Sequence, residues 1–477
     1  MPDLVTVLAE LRARLPTSNA ELLGSSNDDS VVTDVTHDSR TVAARPGMLF
    51  ACVRGQVVDG HDFAATAVSD GAVALLVERR LALAVPQIVV RDVREAMGHV
   101  AAIVHGDPCQ ALRVIGITGT NGKTTTAHLL AAVLQASGRR TAVLGTLTQS
   151  RTTPESADLQ RSLAEFRDKG IEDVVMEVTS HALELHRVAG CHFVLAMFTN
   201  LSQDHLDFHE TMERYFRAKA KLFVPEYADA AIVNLDDRYG SLLRDAAIIP
   251  TEGVHLSDAT NLDLRPAGST FLWNGYRLET AMAGEFNVRN AIMVAAAARH
   301  LDVDPRAIIS GLRSATVPGR YEPVNAGQDF AVIVDYAHTP DGLARVLEAA
   351  RTSVGTGDRV IVVFGCGGDR DRTKRPLMGQ IASTQADAVF VTTDNPRSED
   401  PAAIIDEIMA GVVRRENVQI VPDRREAIGA AIAAARAGDV VVIAGKGHET
   451  GQTVGPVVTE FDDRTVAAEE LRARVRM

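Results

Sequence analysis

The sequence is poor in cysteine, lacks long apolar runs and has no excess of basic residues. Its four cysteines among 477 residues lie far apart and form no C-x-x-C pair. This spacing argues against a zinc ribbon and against a disulfide framework, so we expect four reduced packing residues. The chain has 49 Lys and Arg against 62 Asp and Glu, a formal net charge of −13. That balance argues against a non-specific nucleic-acid binder, because phosphate contacts need an excess of cations.

No apolar run approaches the roughly 20 residues that span a bilayer. The first residues, with Leu4, Val5, Leu8 and Leu11 separated by charged positions, have helical periodicity and do not read as a signal peptide. We therefore expect a cytoplasmic protein without membrane insertion. The contents of 46% hydrophobic and 23% charged residues are ordinary for globular proteins. At about 150 residues per domain, the length predicts roughly three domains.

Three segments differ in their pattern. Residues 1–107 contain short β-like runs between Gly- and Asp-rich turns, which predict a small mixed α/β domain. In residues 108–316, apolar strands alternate with helices such as Thr124–Ser137. A linker at Val317–Arg320 opens the third segment, 317–477. Its continuous Val and Ile runs alternate with helices, and this pattern predicts a Rossmann-like parallel sheet buried on both faces.

A glycine-rich loop, G-I-T-G-T-N-G-K-T-T from Gly116 to Thr125, follows a predicted strand and opens a predicted helix. Glycines allow the backbone to wrap phosphates, and the helix N-terminus supplies amide N–H groups. Lys123 would neutralise phosphate charge, and Thr124 would ligate Mg²⁺. Ile117 stands where the strict motif has its first glycine. The context predicts a P-loop NTPase-like central domain that binds ATP.

Polar residues also end neighbouring strands of this central segment. Glu177 interrupts an apolar run, and Asn200 and His205 follow the next strand. Because ligands collect at the carboxyl ends of parallel strands, a carboxylate and an imidazole near Thr124 indicate a Mg²⁺ site.

Lys219 shares an apolar helix face with Met212, Tyr215 and Phe216. A lysine in an apolar stripe loses solvation unless it is paired, and burial lowers its pKa and makes the amine nucleophilic. One outcome is a reaction with CO₂ that turns the cation into an anionic metal ligand. The other is a lysine that extends to the edge of the helix.

In the last segment every strand end is polar. The ends of four predicted strands carry charges of both signs, which suit a zwitterionic ligand; these are Arg370, Lys374, Arg375, Asp394, Arg397 and Glu449. Asn287, at the start of an Ala-rich helix, would either contact a nucleotide base or cap that helix.

Taken together, the motifs resemble the Mur ligase family. The resemblance runs from Asp38-Ser-Arg40 to Phe461-Asp-Asp-Arg464, nearly the whole chain. Its most specific elements are T-G-T-N-G-K-T from Thr118, M-E-V-T-S-H-A from Met176, T-N-L-S-Q-D-H-L-D from Thr199, D-Y-A-H from Asp335 and D-N-P-R from Asp394.

This resemblance implies an ATP-dependent, ADP-forming ligase of peptidoglycan precursor synthesis. Such an enzyme adds meso-2,6-diaminopimelate to the D-Glu γ-carboxylate of UDP-N-acetylmuramoyl-L-Ala-D-Glu through an acyl phosphate. It implies a monomer whose other requirements are ATP, Mg²⁺ and CO₂ as a lysine carbamate.

The resemblance also assigns residues by matching motifs. The catalytic positions are Lys123, Glu177, His205 and Lys219, and the metal ligands are Thr124, Glu177, His205 and carbamylated Lys219. The ATP positions are Gly119, Thr120, Asn121, Gly122, Lys123, Thr124, Thr125, Asn287, Asn290, Arg320, Asp335 and His338. The UDP-sugar-peptide positions are Ser39, Thr152, Thr153, Thr179 and Arg187. The diaminopimelate positions are Arg370, Asp394, Asn395, Pro396, Arg397, Gly445 and Glu449.

Other functions are open within and outside this class. The same chemistry would serve L-lysine, another amino acid or folylpolyglutamate synthesis, although Arg397 favours diaminopimelate over lysine. The loop sequence Gly122-Lys-Thr-Thr125 differs from the G-K-G-S of folylpolyglutamate synthases. A nucleotide-binding scaffold without catalysis is the alternative from another class, and the joint presence of Lys123, Glu177, His205 and Lys219 argues against it.

Overall fold

The computed structural model describes residues 1–24, 31–55, 57–149, 151–265 and 268–475. The N-terminal part contains one five-stranded sheet with helices beside it. Its strands are β1 (Glu21–Leu23), β2 (Asp34–Thr36), β3 (Met48–Ala51), β4 (Ala74–Val77) and β5 (Gln87–Val89), and its helices are α1 (Leu4–Arg14), α2 (Ala64–Ser69), α3 (Val93–Val104) and α4 (Pro108–Ala111). The strand order is β1-β5-β4-β3-β2, and β1 pairs antiparallel while the others are parallel. A 3₁₀ turn, Ser39–Ala44, follows β2.

The central part is built on a six-stranded parallel sheet of order β11-β10-β9-β6-β8-β7. These strands are β6 (Arg113–Thr118), β7 (Thr141–Leu144), β8 (Asp173–Glu177), β9 (Leu195–Phe198), β10 (Ala231–Asn234) and β11 (Thr251–Val254). The helices between them are α5 (Lys123–Ala136), α6 (Ser156–Asp168), α7 (Ser180–Glu184), α8 (Leu206–His209), α9 (Met212–Ala220) and α10 (Arg238–Ala246).

An antiparallel ribbon, absent from the sequence prediction, follows the central sheet. Its strands are β12 (Thr260–Arg265), β13 (Gly268–Trp273) and β14 (Tyr276–Thr280), and α11 (Glu285–His300) and α12 (Pro305–Ser314) come next. Both helices pack on α5. Because α11 is buried along almost its whole length, its Ala-rich sequence allows this close packing.

The C-terminal part has a second six-stranded sheet, of order β15-β16-β20-β17-β18-β19. Its strands are β15 (Glu322–Pro323), β16 (Ala331–Asp335), β17 (Val360–Phe364), β18 (Ala388–Val391), β19 (Val418–Ile420) and β20 (Val440–Ala444). Its helices are α13 (Pro340–Ser353), α14 (Lys374–Gln385), α15 (Pro401–Met409), α16 (Arg424–Ala434) and α17 (Asp463–Val475), and a hairpin of β21 (Gly451–Val454) and β22 (Val457–Glu460) lies between β20 and α17.

These sheets confirm the predicted α/β fold class. The strands β16, β20, β17 and β18 are adjacent and parallel, so their polar ends do lie along one edge. The domain limits at 107/108 and 316/317 stay predictions. A continuous hydrophobic cluster runs from the central sheet through α5, α11 and α12 to α13 and the C-terminal sheet. The four cysteines are free thiols, as expected. No helix within the described residues is long and apolar enough to cross a membrane.

Candidate active site

The glycine-rich loop lies between the end of β6 and the start of α5. Gly119 and Gly122 have φ values of +147° and +86°, a region that residues with a Cβ rarely adopt. A Cβ on Gly119 would also overlap the Thr199 hydroxyl. The Asn200 side chain also fixes the loop backbone, because its oxygen accepts a hydrogen bond of 3.0 Å from the N–H of Asn121. The loop therefore has a fixed shape at the N-terminus of α5, where anions are stabilised.

Lys123 curls back over this loop. Its Nζ donates hydrogen bonds of 2.9 and 2.8 Å to the carbonyl oxygens of Gly119 and Thr120. Burial lowers the pKa of Lys123, and the nearby carboxylate of Glu177 opposes that shift. An anion at the loop would replace the two carbonyl oxygens as the partner of this ammonium.

Beside the loop lies a cavity of about 240 Å³ between the central and C-terminal parts. Many residues that were predicted to bind ATP line it: Asn121, Gly122, Thr125, Asn287, Asn290, Arg320, Asp335 and His338. The Asn287 amide donates to the carbonyl of Ala283 at 2.8 Å, so its side chain is fixed against the segment before α11 and lines the cavity, and it does not cap the helix. Desolvation at the edge of the cavity and the positive charge of Lys374 lower the pKa of His338.

Arg320 supplies a cation at the junction of the cavity and the loop. Its guanidinium lies 4.3 Å from the centre of the Tyr336 ring, and one Nη is 3.4 Å from the Thr124 hydroxyl. Its Nε is buried without a hydrogen-bond partner among the described residues. A guanidinium with a buried, unused donor next to a phosphate-binding loop fits an anionic nucleotide.

Glu177, at the end of β8, is buried beside the loop. Its Oε2 accepts a hydrogen bond of 2.8 Å from the Thr124 hydroxyl, and its Oε1 accepts one of 2.8 Å from the N–H of Thr146. A hydroxyl and a carboxylate in contact are hard oxygen donors of the kind that Mg²⁺ prefers, so this pair fits the predicted metal.

Lys219 is the second buried lysine that contacts the loop. The Lys219 side chain is buried, and its Nζ donates to the carbonyl of Gly119 at 2.8 Å and lies 4.6 Å from the centre of the Tyr215 ring. Burial lowers the pKa of Lys219 strongly, and the positive charge of Lys123 lowers it further. The His205 ring is 4.8 Å from that of His181. Of the predicted metal ligands, Thr124 and Glu177 contact each other and Lys219 contacts the loop, whereas the described residues hold no group of three His, Cys, Asp or Glu arranged for a metal.

Of the residues predicted for the sugar-peptide substrate, Thr153 contacts Glu177 directly, and Thr179 and Arg187 contact Thr153. The Thr153 hydroxyl donates to the backbone carbonyl of Glu177 at 2.8 Å and accepts from the N–H of Thr179 at 3.1 Å. Arg187 donates to the carbonyl of Thr153 at 3.3 Å, and the hydroxyl of Thr152 is 3.1 Å from that of Thr146.

Ser39 lies apart from this group, on the 3₁₀ turn after β2. That turn borders a second cavity, of about 520 Å³, between the N-terminal and central parts. The lining residues include Asp38, Thr41, Arg151 and Arg161.

Several of the predicted diaminopimelate residues contact one another or adjoining backbone beyond the C-terminal sheet. The side chain of Asn395 donates to Glu449 Oε2 at 2.7 Å, and Arg397 donates to the carbonyl of Gly368 at 2.7 Å. Gly445 has a φ of +118°, and a Cβ there would come within 2.5 Å of Asp394 Oδ2. The glycine therefore keeps space in front of this carboxylate.

The remaining charged residues of that edge have different positions. The Arg370 side chain is exposed. The carbonyl oxygen of Pro396 lies so close to Gly368 that a Cβ on this glycine would overlap it. The Lys374 ammonium donates instead to the backbone carbonyl of His338 at 2.8 Å. The expectation that Arg375 lines the pocket is wrong, because this side chain is fully buried in ion pairs with Glu399 and Glu407, both 2.8 Å.

Three residues near these sites were missed at the level of sequence. Tyr336 stacks under Arg320, and its place in D-Y-A-H was an available signal. Asp341, at the start of α13, accepts a hydrogen bond of 2.7 Å from the Asn121 side chain and so joins the C-terminal part to the loop. Lys446 is buried beside Glu449. No local pattern indicates a contact such as that between Asp341 and Asn121, 220 residues apart in the chain.

Family models match three successive parts of the chain. "Mur ligase family, catalytic domain" matches residues 31–105, "Mur ligase middle domain" matches 117–298, and "Mur ligase, glutamate ligase domain" matches 319–447.

Individual proteins are similar over almost the whole length. The UDP-N-acetylmuramoyl-L-alanyl-D-glutamate–2,6-diaminopimelate ligase of Syntrophomonas wolfei is 46% identical, and the alignment covers 94% of this chain and 96% of that protein. The ligase of the same name from Geobacillus thermodenitrificans is 45% identical, again over 94% and 96%. A solved structure of a ligase with this name has a TM-score of 0.69 at 35% identity and covers 94% of this chain and 96% of its own. On these grounds, and with the phosphate-binding loop in place, the chain belongs to the Mur ligase family.

Proposed function

We propose that this protein couples ATP hydrolysis to the addition of meso-2,6-diaminopimelate to the D-Glu γ-carboxylate of UDP-N-acetylmuramoyl-L-Ala-D-Glu, releasing ADP and phosphate. One observation carries the proposal. The side chain of Glu177 contacts Thr124 of the phosphate-binding loop, while its backbone carbonyl contacts Thr153 of the predicted sugar-peptide group. The carboxylate to be activated would therefore lie next to the γ-phosphate of ATP.

The first step joins two anions, the D-Glu carboxylate and the γ-phosphate, to give an acyl phosphate. Lys123 and Arg320 both contact the loop, at Gly119 and at Thr124, and would offset the repulsion between the two anions. Mg²⁺, held by Thr124 and Glu177, would neutralise phosphate charge.

In the second step the amine of diaminopimelate attacks the acyl phosphate and phosphate leaves. Asp394 and Glu449 would bind ammonium groups, and Arg370 and Arg397 would bind carboxylates. Diaminopimelate has a second carboxylate that L-lysine lacks, so Arg397 supports diaminopimelate as the substrate.

We further propose that Lys219 reacts with CO₂ to form a carbamate and release a proton. Burial favours the neutral amine that this reaction needs. The carbamate would be an anion beside Lys123 and would add a metal ligand near His205. The enzyme acts in the cytoplasm, where ATP is available, and as a monomer, since one chain contains all the predicted groups.

The test is phosphate release by the purified protein with ATP, Mg²⁺ and UDP-N-acetylmuramoyl-L-Ala-D-Glu, with meso-diaminopimelate, with L-lysine or without an amine. We expect release only with diaminopimelate and a tripeptide product by mass spectrometry. Release with lysine alone would retain the ligase chemistry but contradict the role of Arg397. The absence of release with either amine would contradict the proposed substrates.

A further inference from the structure

Lys446 is a buried lysine that the proposed mechanism does not use. It lies two residues after the end of β20, and its side chain has no exposed surface. Its Nζ donates to the carbonyl of Gly451 at 2.6 Å, lies 3.4 Å from Asn395 Oδ1 and is 3.6 Å from Glu449 Oε2. The ammonium is thus surrounded by three acceptors at the back of the predicted amino-acid pocket.

Two of these acceptors belong to residues that are predicted to bind diaminopimelate. Glu449 Oε2 already accepts from Asn395 Nδ2 at 2.7 Å, so the lysine and the amide hold the same carboxylate oxygen. Within the described residues Oε1 has no hydrogen-bond partner, and Glu449 is partly exposed. The fixed carboxylate therefore has one oxygen available for a ligand ammonium.

The third acceptor, Gly451, begins the β21–β22 hairpin. This hairpin also contacts the loop 394–397 through Gln452, whose amide donates to the carbonyl of Asp394 at 2.8 Å, and through Thr453, whose N–H donates to Asn395 Oδ1 at 2.9 Å. The N–H of Arg397 donates to the carbonyl of Thr453 at 3.0 Å. Lys446 thus joins the hairpin, the loop and Glu449 at one point.

A second buried cation lies on the same side. Arg424 is paired with Asp463 at 2.7 Å, and its Nη2 donates to the carbonyl of Ala444, next to Gly445. The ion pair between Arg424 and Asp463 thus already has a structural role at the end of β20. A buried charge costs stability unless it is well paired, and an apolar residue would fill the place of Lys446 more cheaply. The presence of the Lys446 ammonium at this buried position indicates that its three acceptors need to be held in place.

We infer that Lys446 is a positioning residue for the amino-acid substrate: its ammonium orients the Glu449 carboxylate and the Asn395 side chain and holds the β21–β22 hairpin against the loop 394–397. This inference rests on the proposed function. It concerns binding of the amino acid and leaves the ATP and sugar-peptide sites unaffected.

The experiment compares Lys446→Met with wild type and with Lys169→Met, which removes a lysine that is 69% exposed and 4.0 Å from Glu165. We expect Lys446→Met to raise the KM for meso-diaminopimelate about tenfold or more, because charge-assisted hydrogen bonds are lost. The KM values for ATP and the sugar-peptide should stay within about twofold, and Lys169→Met should match wild type. In a Glu449→Gln background, Lys446→Met should add little further effect, since the two residues act together.

An unchanged KM for diaminopimelate, or an equal rise in all three KM values, would overturn the inference. Should Lys446→Met fail to fold, Gln452→Ala tests the same assembly and should raise only the KM for diaminopimelate; an unchanged value would overturn the inference.

Calorimetric titration with meso-diaminopimelate separates the two proposals. Absent binding, or binding without phosphate release, by wild type would contradict the proposed function, whereas binding by wild type that Lys446→Met leaves equally tight would contradict the inference.

Discussion

Two buried lysines determine the chemistry of the site at the scale of single residues. Lys123 and Lys219 both donate to the carbonyl of Gly119, at 2.9 and 2.8 Å, and burial lowers the pKa of each. Two like charges on one carbonyl repel each other, so conversion of one of them to an anion would relieve the repulsion. Lys219 is the better candidate for this conversion, because burial and the charge of Lys123 lower its pKa strongly, whereas the nearby Glu177 carboxylate opposes the shift at Lys123.

We predict that Lys219→Ala lowers kcat about 10²- to 10³-fold, because the proposed anionic metal ligand is lost, and with it part of the positive charge that offsets the phosphate groups in the transition state. Added short-chain carboxylic acids should restore part of the activity. With labelled bicarbonate, a carbamate NMR signal should be present in wild type and absent in the variant. The control is Lys221→Ala, which removes an exposed lysine paired with Glu184 at 2.8 Å and should leave kcat unchanged. Full activity of Lys219→Ala would contradict the carbamate.

At the scale of elements, the glycines that flank the two ends of helix α5 have similar φ values but different roles. Gly122 precedes the helix with a φ of +86°, and Gly138 follows it with a φ of +85°. A Cβ on Gly122 would lie 2.9 Å from Asn290 Oδ1, which is closer than such contacts tolerate, while a Cβ on Gly138 would meet nothing within 4 Å. Both positions need the left-handed conformation, but only the first one shapes the nucleotide cavity.

We predict that Gly122→Ala and Gly138→Ala each cost about 1 kcal/mol of stability, since alanine is strained at positive φ. Only Gly122→Ala should also raise the KM for ATP, roughly tenfold or more, because a displaced Asn290 or loop misplaces the nucleotide. Thermal unfolding and steady-state kinetics on the pair provide the measurement. Equal KM values for ATP in the two variants would contradict the role assigned to Gly122.

At the scale of the whole molecule, Asp34 connects the N-terminal part to the central part. Its buried carboxylate accepts from Arg161 of α6 at 2.8 and 3.0 Å, from Arg45 at 2.6 Å and from His105 at 3.1 Å. Burial alone would raise the pKa of Asp34, but the hydrogen bonds from His105 and Arg161 outweigh it and lower the pKa below the usual range. Asp34 and Arg161 also line the second cavity, so this connection shapes the predicted nucleotide-sugar site.

We predict that Asp34→Asn lowers stability by about 2–3 kcal/mol at neutral pH, because a buried ionic contact loses one partner. Since the folded pKa is depressed, this contribution is present above the ordinary carboxyl value near 4 and is lost as the pH falls toward the folded value. The Tm difference between wild type and variant should therefore shrink on acidification, and the KM for the sugar-peptide should rise.

The control for this prediction is Asp158→Asn. Asp158 also pairs with Arg161, at 2.7 Å, but its side chain is 46% exposed, so we expect a loss of only a few tenths of a kcal/mol. A Tm difference for Asp34→Asn that is independent of pH would contradict the ionic explanation.

The sequence by itself was enough for features that arise within one segment. The parallel strands of the C-terminal sheet, the loop from Gly119 to Thr125 and the burial of Lys219 all follow from local spacing, because strand alternation, helix periodicity and glycine conformation are set by neighbours in the chain. The functional roles of the site residues stay predictions.

Only the tertiary structure decided which distant residues meet. It joins Thr124 to Thr153 through Glu177, buries Arg375 away from the pocket and places Lys446 behind Asn395 and Glu449. It also adds the antiparallel ribbon and the β21–β22 hairpin. Such contacts depend on how whole sheets and helices pack, and the short segments involved have too little periodicity to indicate a partner far along the chain.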